Sequence, residues 1–172
     1  MPRHFTPEES KLEPAKRLMS CAEIESIRLV EGRFAYTPAH REDVKGRKGG
    51  ALQISVDLSA RGKLAHPRKL NVGIRFSLTG RKDSEKSKQL LIGAKFELIY
   101  TVPPGIEPSE GEIDAFANTN ALLNVWPFWR EFVHSSINRM GLPPLTLPLF
   151  RMAASSTEKR VRSRGARSSA ES

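Results

Sequence analysis

Only one cysteine, Cys21, occurs in 172 residues, so an internal disulfide is excluded and a reducing compartment fits. Nothing beside it in the sequence would activate its thiolate, and it reads as a structural residue. No run of about 18 apolar residues exists, so no membrane insertion is expected. The N-terminal stretch MPRHFTPEESKLEPAKRLMSCAEIE mixes acids and bases and has no apolar h-region, so it does not read as a secretory signal, and a cytoplasmic location is the expectation. His4, His40, His66 and His134 are scattered without the i, i+4 or paired-Cys spacing of a metal site. KGRKGG lacks the Gly-x4-Gly-Lys-Ser/Thr pattern of a phosphate loop. Glu110, Glu112 and Asp114 are explained by the first turn of a helix, where the dipole favours negative charge. No catalytic residue, metal or cofactor is therefore assigned, and enzyme chemistry is not expected.

What is present is one domain with extensions. The apolar share is 38% and the charged share 27%, ordinary for a globular protein. Residues 1–22 read as a polar, flexible N-terminal extension, 23–151 as the folded domain, and 152–172 as a basic Ser/Arg-rich disordered tail. A short helix across Ser155 to Arg162 would have little apolar face beyond Val161. The net charge of +9 is unevenly spread: +9 over residues 41–95, −4 over 96–150 and +4 over 151–172. A field of that kind attracts phosphate or an acidic partner.

Four strands are predicted. Ile27, Leu29, Phe34 and Tyr36 mark a first strand from Ile24 to Tyr36, with a bulge permitted at Gly32. A loop, TPAHREDVKGRKGG, follows. Leu52, Ile54, Val56 and Leu58 alternate with polar residues as a second strand, and Leu70, Val72, Ile74, Phe76 and Leu78 as a third. Gly80 to Lys88 reads as a polar hairpin connection. Leu90 to Val102 forms a fourth strand whose second face is also partly apolar, which requires something to cover it.

Both tryptophans and three of the eight phenylalanines fall between Asn118 and Phe150. Ser109 and Glu112 have capping-box spacing before a helical turn. Pro127 suits the first turn of a second helical segment. Trp129, Phe132, Val133, Ile137 and Met140 share helical spacing, and Gly141 fits the left-handed stop. A proline-broken apolar strip, Leu142 to Phe150, follows, in which Leu145, Leu147 and Leu149 alternate as one wall of a groove.

An Asn-rich turn, an aromatic-Pro-aromatic-x-Arg-Glu segment, a helix and then Gly-x-Pro-x-Leu-x-Leu closing on Phe resembles the core of the SecB family of protein-export chaperones. Asn120, Pro127, Phe128, Arg130, Glu131, Arg139, Gly141, Pro143, Leu145, Leu147 and Phe150 carry the resemblance, and with four strands upstream it covers roughly residues 24 to 150. It implies an α+β fold: a four-stranded antiparallel sheet followed by a long helix packed on one face, assembled as a dimer of dimers. It further implies an ATP-independent holdase that binds unfolded precursor proteins and keeps them translocation-competent. Trp126, Phe128, Leu145, Leu147 and Phe150 would sit beside its client-binding grooves. Trp129, Phe132 and Val133 would be divided between the subunit core and the helix interface of a homotetramer.

Family members dock the export motor ATPase through carboxylates on the sheet. This chain has Gly93 and Lys95 in the fourth strand and Arg33 and Tyr36 in the first at the comparable place, so the alternative is a chaperone dedicated to one client, such as an antitoxin. The competing class is a nucleic-acid-binding protein that uses the basic segment 41–95 and the tail, with Phe34, Tyr36 and Phe76 as stacking residues.

Overall fold

The computed structural model describes residues 12–37, 52–66, 68–82 and 88–150. Residues 1–11, most of the loop after the first strand, part of the connection from Gly80 to Lys88, and the expected tail at 152–172 with its short helix lie outside the described residues. Strands β1 (Glu23–Tyr36), β2 (Leu52–His66), β3 (Lys69–Lys82) and β4 (Lys88–Thr101) form one antiparallel sheet in the order β1-β4-β3-β2. Period-two alternation sorts its side chains. Leu70, Val72, Ile74, Phe76 and Leu78 of β3 and Leu90, Ile92, Phe96, Leu98 and Tyr100 of β4 are buried on one face. The opposite face carries Arg61, Arg75, Lys95 and Glu97 among serines, glycines and a few half-buried apolar residues.

Helices cover the apolar face. Helix α1 spans Leu12–Cys21, α2 spans Glu110–Phe116 and α3 spans Leu122–Arg139, with a π-helical turn at Ala117–Ala121 joining the last two. Ser109 caps α2 as its spacing predicts: its hydroxyl accepts from the Glu112 amide while its own amide donates to the Glu112 carboxylate at 2.8 Å. The α3 face made by Trp129, Val133 and Ile137 seals the middle of the sheet. The Trp129 indole stacks on Phe76 with centroids 4.9 Å apart and planes 8° from parallel. Burying two such aromatics contributes about 2 to 3 kcal/mol each, by transfer from water alone.

Four sequence expectations change here. Leu12–Cys21 is not part of a flexible extension: it is a helix whose Ala15 and Leu18 are wholly buried, packed on α2 with Arg17 paired to Glu112 at 3.3 Å. The apolar residues of this segment recur at helical rather than strand spacing, and they are too few to stand out in a polar stretch. The β1 register breaks twice, at Glu25 between Ile24 and Ser26 and at Val30 between Leu29 and Glu31, but not at Gly32, which pairs regularly with Ala94. Gly32 is needed for closeness: a Cβ there would lie 2.9 Å from the Phe132 ring.

The second strand continues past Leu58 to His66. Its helix-side residues shrink to Ala60 and Gly62 because α2 sits against them, and a Cβ at Gly62 would meet Ile113 at 2.5 Å. Pro127 lies inside α3, not in its first turn, since the π-helical turn brings helical backbone to Leu122 already. Pro127 and Leu123, one turn before it, are both exposed, so the carbonyl that loses its donor faces water.

Leu18→Ala is expected to lower the unfolding free energy by about 2 to 4 kcal/mol, read by urea denaturation on tryptophan fluorescence. A change near zero would mean that α1 is not part of the cooperative unit. Gly62→Val should destabilise more than Gly73→Val, whose added Cβ meets nothing within 4 Å. Hydrogen bonds from the Ser109 amide and hydroxyl, then the Arg17 charge, hold the Glu112 carboxyl below the ordinary carboxylate range. A carboxyl lowered in the native state stabilises at neutral pH, and that contribution fades as pH falls from the unfolded value through the native one. The melting-temperature gap between the wild type and Glu112→Gln should therefore be present at pH 7 and close in acid.

Candidate functional site

Helix α3 ends in a glycine stop. Gly141 has φ +67°, and the Leu142 amide reaches back to the Ile137 carbonyl at 3.2 Å. The strip from Leu142 to Phe150 then runs back along α3 with no regular secondary structure, as Pro143, Pro144 and Pro148 dictate. Two side chains one helical turn apart hold it. The Trp126 indole Nε1 donates to the Pro148 carbonyl and the Arg130 Nε donates to the Leu147 carbonyl, each at 3.0 Å. The Phe150 ring lies 5.5 Å from Trp126, which also meets Phe76 edge-on at 6.0 Å.

This clamp divides the residues expected to line one groove. Trp126 and Leu147 are buried, Leu145 and Phe150 are half-buried, and Phe128 and Leu149 are exposed at 47% and 59%. The leucines do not form one wall, because Leu147 turns inward and Leu149 outward. Phe128 sits about 200° around the helix from Trp126, away from the strip and on the flank of Phe132, which packs over Gly32 of β1. The helix-interface expectation also changes. Trp129 and Val133 are wholly buried within the protomer and have no surface left for a partner, whereas Phe132 is half-buried. The Trp129 Nε1 has no acceptor among the described residues, the cost of laying its ring flat on Phe76.

Further apolar surface lies outside the residues expected to bind a client. Ile24, Leu29 and Phe34 of the edge strand β1 share the helix side with β4's buried residues, yet are 46%, 49% and 43% exposed. Ile54 of the other edge strand is 41% exposed. Alternation marks these residues as inward-facing, and only the strand order reveals that they lie beyond the reach of the helices.

The stacking residues of the nucleic-acid reading are misplaced for that role. Phe76 is buried beneath Trp129, and Phe34 and Tyr36 pair in register with Ile92 and Leu90 on the helix side. Arg61, Lys63, Arg75 and Lys95 project from the other face. Burial pushes the Tyr100 hydroxyl up to about 12, and Asn124 donates to it at 3.0 Å, which makes it a packing element rather than an acid or base. Among the described residues no helix is long and apolar enough to cross a membrane.

No protein-family model matches the chain. Two curated relatives from Mycobacterium tuberculosis strains, SecB-like chaperone Rv1957 and SecB-like chaperone MT2006, are each 40% identical to it over 43 residues. That match covers 25% of this chain and 24% of either relative, so it spans about a quarter of their length. Their names describe chaperones, not enzymes. The solved structure of the M. tuberculosis Rv1957 SecB-like chaperone, in complex with a peptide from the Rv1956 HigA1 antitoxin, superposes with a TM-score of 0.68 at 23% identity. It covers 82% of this chain and 99% of that one, and the shared architecture is the four-stranded antiparallel sheet with its long C-terminal helix. In its fold, and over this stretch of sequence, the chain is similar to the SecB-like chaperones.

Proposed function

We propose that this protein is an ATP-independent chaperone that holds non-native polypeptide, with a narrow client such as an antitoxin rather than exported precursors at large. The observation that carries the reading is the apolar margin left open beside α3. Phe128, Leu29 and Phe34 on one flank, and Leu149 with half-buried Leu145 and Phe150 on the other, keep oily surface in water within a well-sealed protomer. Isolated exposed apolar residues are commonplace, but several gathered beside one helix mark an interaction surface. Such walls bind unfolded segments through buried area, worth about 25 cal/mol per Å². The antitoxin peptide bound by the Rv1957 structure supports a dedicated client. The basic character of the sheet face, with Lys95 and Arg33 where the resemblance to the SecB family would place carboxylates for an export motor, weighs against general export.

A dimer of dimers belongs to the same reading. Support comes from two open sheet edges, β1 and β2, and from Phe132 and Phe128 on the outer flank of α3. Mass photometry is expected to show a tetramer, and a stable monomer at micromolar concentration would remove this part.

Phe128→Ala with Leu149→Ala is expected to weaken suppression of aggregation of an unfolded client by about tenfold while leaving the melting temperature near the wild type. Leu147→Ala should instead cost about 2 to 4 kcal/mol of stability. Unchanged holding by the double variant, and by Leu29→Asp with Phe34→Asp, would sink the chaperone assignment. Equal holding of a panel of unrelated precursors would favour the general holdase.

A further inference from the structure

The face of the sheet turned away from the helices has a chemistry that client holding does not use. Ser59, Arg75 and Lys95 are cross-strand neighbours on β2, β3 and β4, and Arg61 lies opposite Gly73. Together they line a shallow depression of about 340 Å³, floored at Gly73, where an added Cβ would meet nothing within 4 Å. Arg33 extends the cationic row from β1, its guanidinium chain lying over Gly93.

These cations form no ion pair among the described residues, although Glu31 of β1 lies opposite Lys95. The carboxylates on this face are Glu23 and Glu25 at its far end, where Glu25 is paired with Lys69, and Glu31, Asp57 and Glu97 nearer the depression. Glu97 is held by Arg28 at 2.8 Å, and no ion pair joins Glu31 or Asp57 to Arg33, Arg61, Arg75 or Lys95 among the described residues. Like charges placed directly opposite one another, as Arg75 and Lys95 are, destabilise a sheet. Glu31, opposite Lys95 on β1, offsets this repulsion only for Lys95 and leaves Arg61 and Arg75 without a facing carboxylate, so a partner is the economical reason for the arrangement.

We propose that this bare face docks an acidic polypeptide segment, at a surface separate from the apolar margin proposed for clients. Arg61 and Arg75 are diagonal neighbours, roughly 7 to 8 Å apart at this register, and alternate carboxylates of an extended chain repeat at about 7 Å. Guanidinium groups bind carboxylates through paired hydrogen bonds. Single-stranded nucleic acid shares the charge but needs aromatic platforms, and the described residues of this face include none. Arg61, Arg75 and Lys95, which the depression brings together, are the contact points for such a chain.

The test uses the full chain and fluorescence anisotropy with two labelled probes of equal charge, a poly-glutamate peptide and an oligothymidylate. Poly-glutamate is expected to bind with steep salt dependence and to weaken by about tenfold or more in Arg75→Glu/Lys95→Glu. The milder Arg75→Gln/Lys95→Gln should show the same direction, guarding against misfolding of the reversal variant. Arg162→Gln/Arg164→Gln, in the basic C-terminal segment, should bind as the wild type does. Binding that survives both face variants, or that is lost only with the C-terminal one, overturns the inference. Oligothymidylate binding tighter than poly-glutamate and abolished by the face variants would make the partner a nucleic acid and overturn it too. Client holding that falls in step with poly-glutamate binding would show that the two surfaces are not separate.

Discussion

One helix cannot cover four strands. The outer strands of such a sheet stand about 14 Å apart, whereas a helix with its side chains is about 10 Å across. Helix α3 therefore has to choose where to sit, and the stack of Trp129 on Phe76 places it over β3 and β4. That position leaves β1 under-covered along its length and the first half of β2 half-open. Helices α1 and α2 close only the far end of β2, where Ala60 and Gly62 let Ile113 approach. The exposed Ile24, Leu29, Phe34 and Ile54 follow from this shortfall of width.

The strip after Gly141 repairs part of the shortfall. An extended segment with three prolines cannot join the sheet as a regular strand, so it is held from above by side chains of α3. Trp126 and Arg130 supply the two donors, and Leu147 supplies the apolar anchor. Because the clamp uses Trp126 as a structural element, the aromatic surface left for binding is Phe128 with its β1 neighbours, and the outward members of the strip.

The two faces of the sheet divide the chemistry of the molecule. Most apolar material and all three candidate stacking aromatics gather on the helix side, while Arg61, Lys63, Arg75 and Lys95 point the other way. This segregation follows from register alone, since one residue of shift would exchange the faces. It also separates two kinds of recognition, area-driven on one side and charge-driven on the other.

Much of this was legible in the chain of residues. Alternation from Leu70 to Leu78 and from Leu90 to Tyr100 marked two strands and their buried sides, the Ser109–Glu112 spacing marked a helix start, and Gly141 marked its stop. These signals are local: a period, a cap and a turn depend on neighbours a few positions away. Helix α1 escaped because its buried residues, Ala15 and Leu18, are too few to show a period within a charged segment. The fates of Trp126, Phe128, Leu147 and Leu149 could not be read either, since an aromatic at helical spacing has the same signature whether it faces core, clamp or solvent. The sequence by itself determined the elements and the sidedness of each strand, because period and side-chain chemistry are properties of the chain. Which apolar residues stay in water, and which cations meet without partners, was decided only by tertiary structure, because exposure depends on what packs across from a residue many positions away.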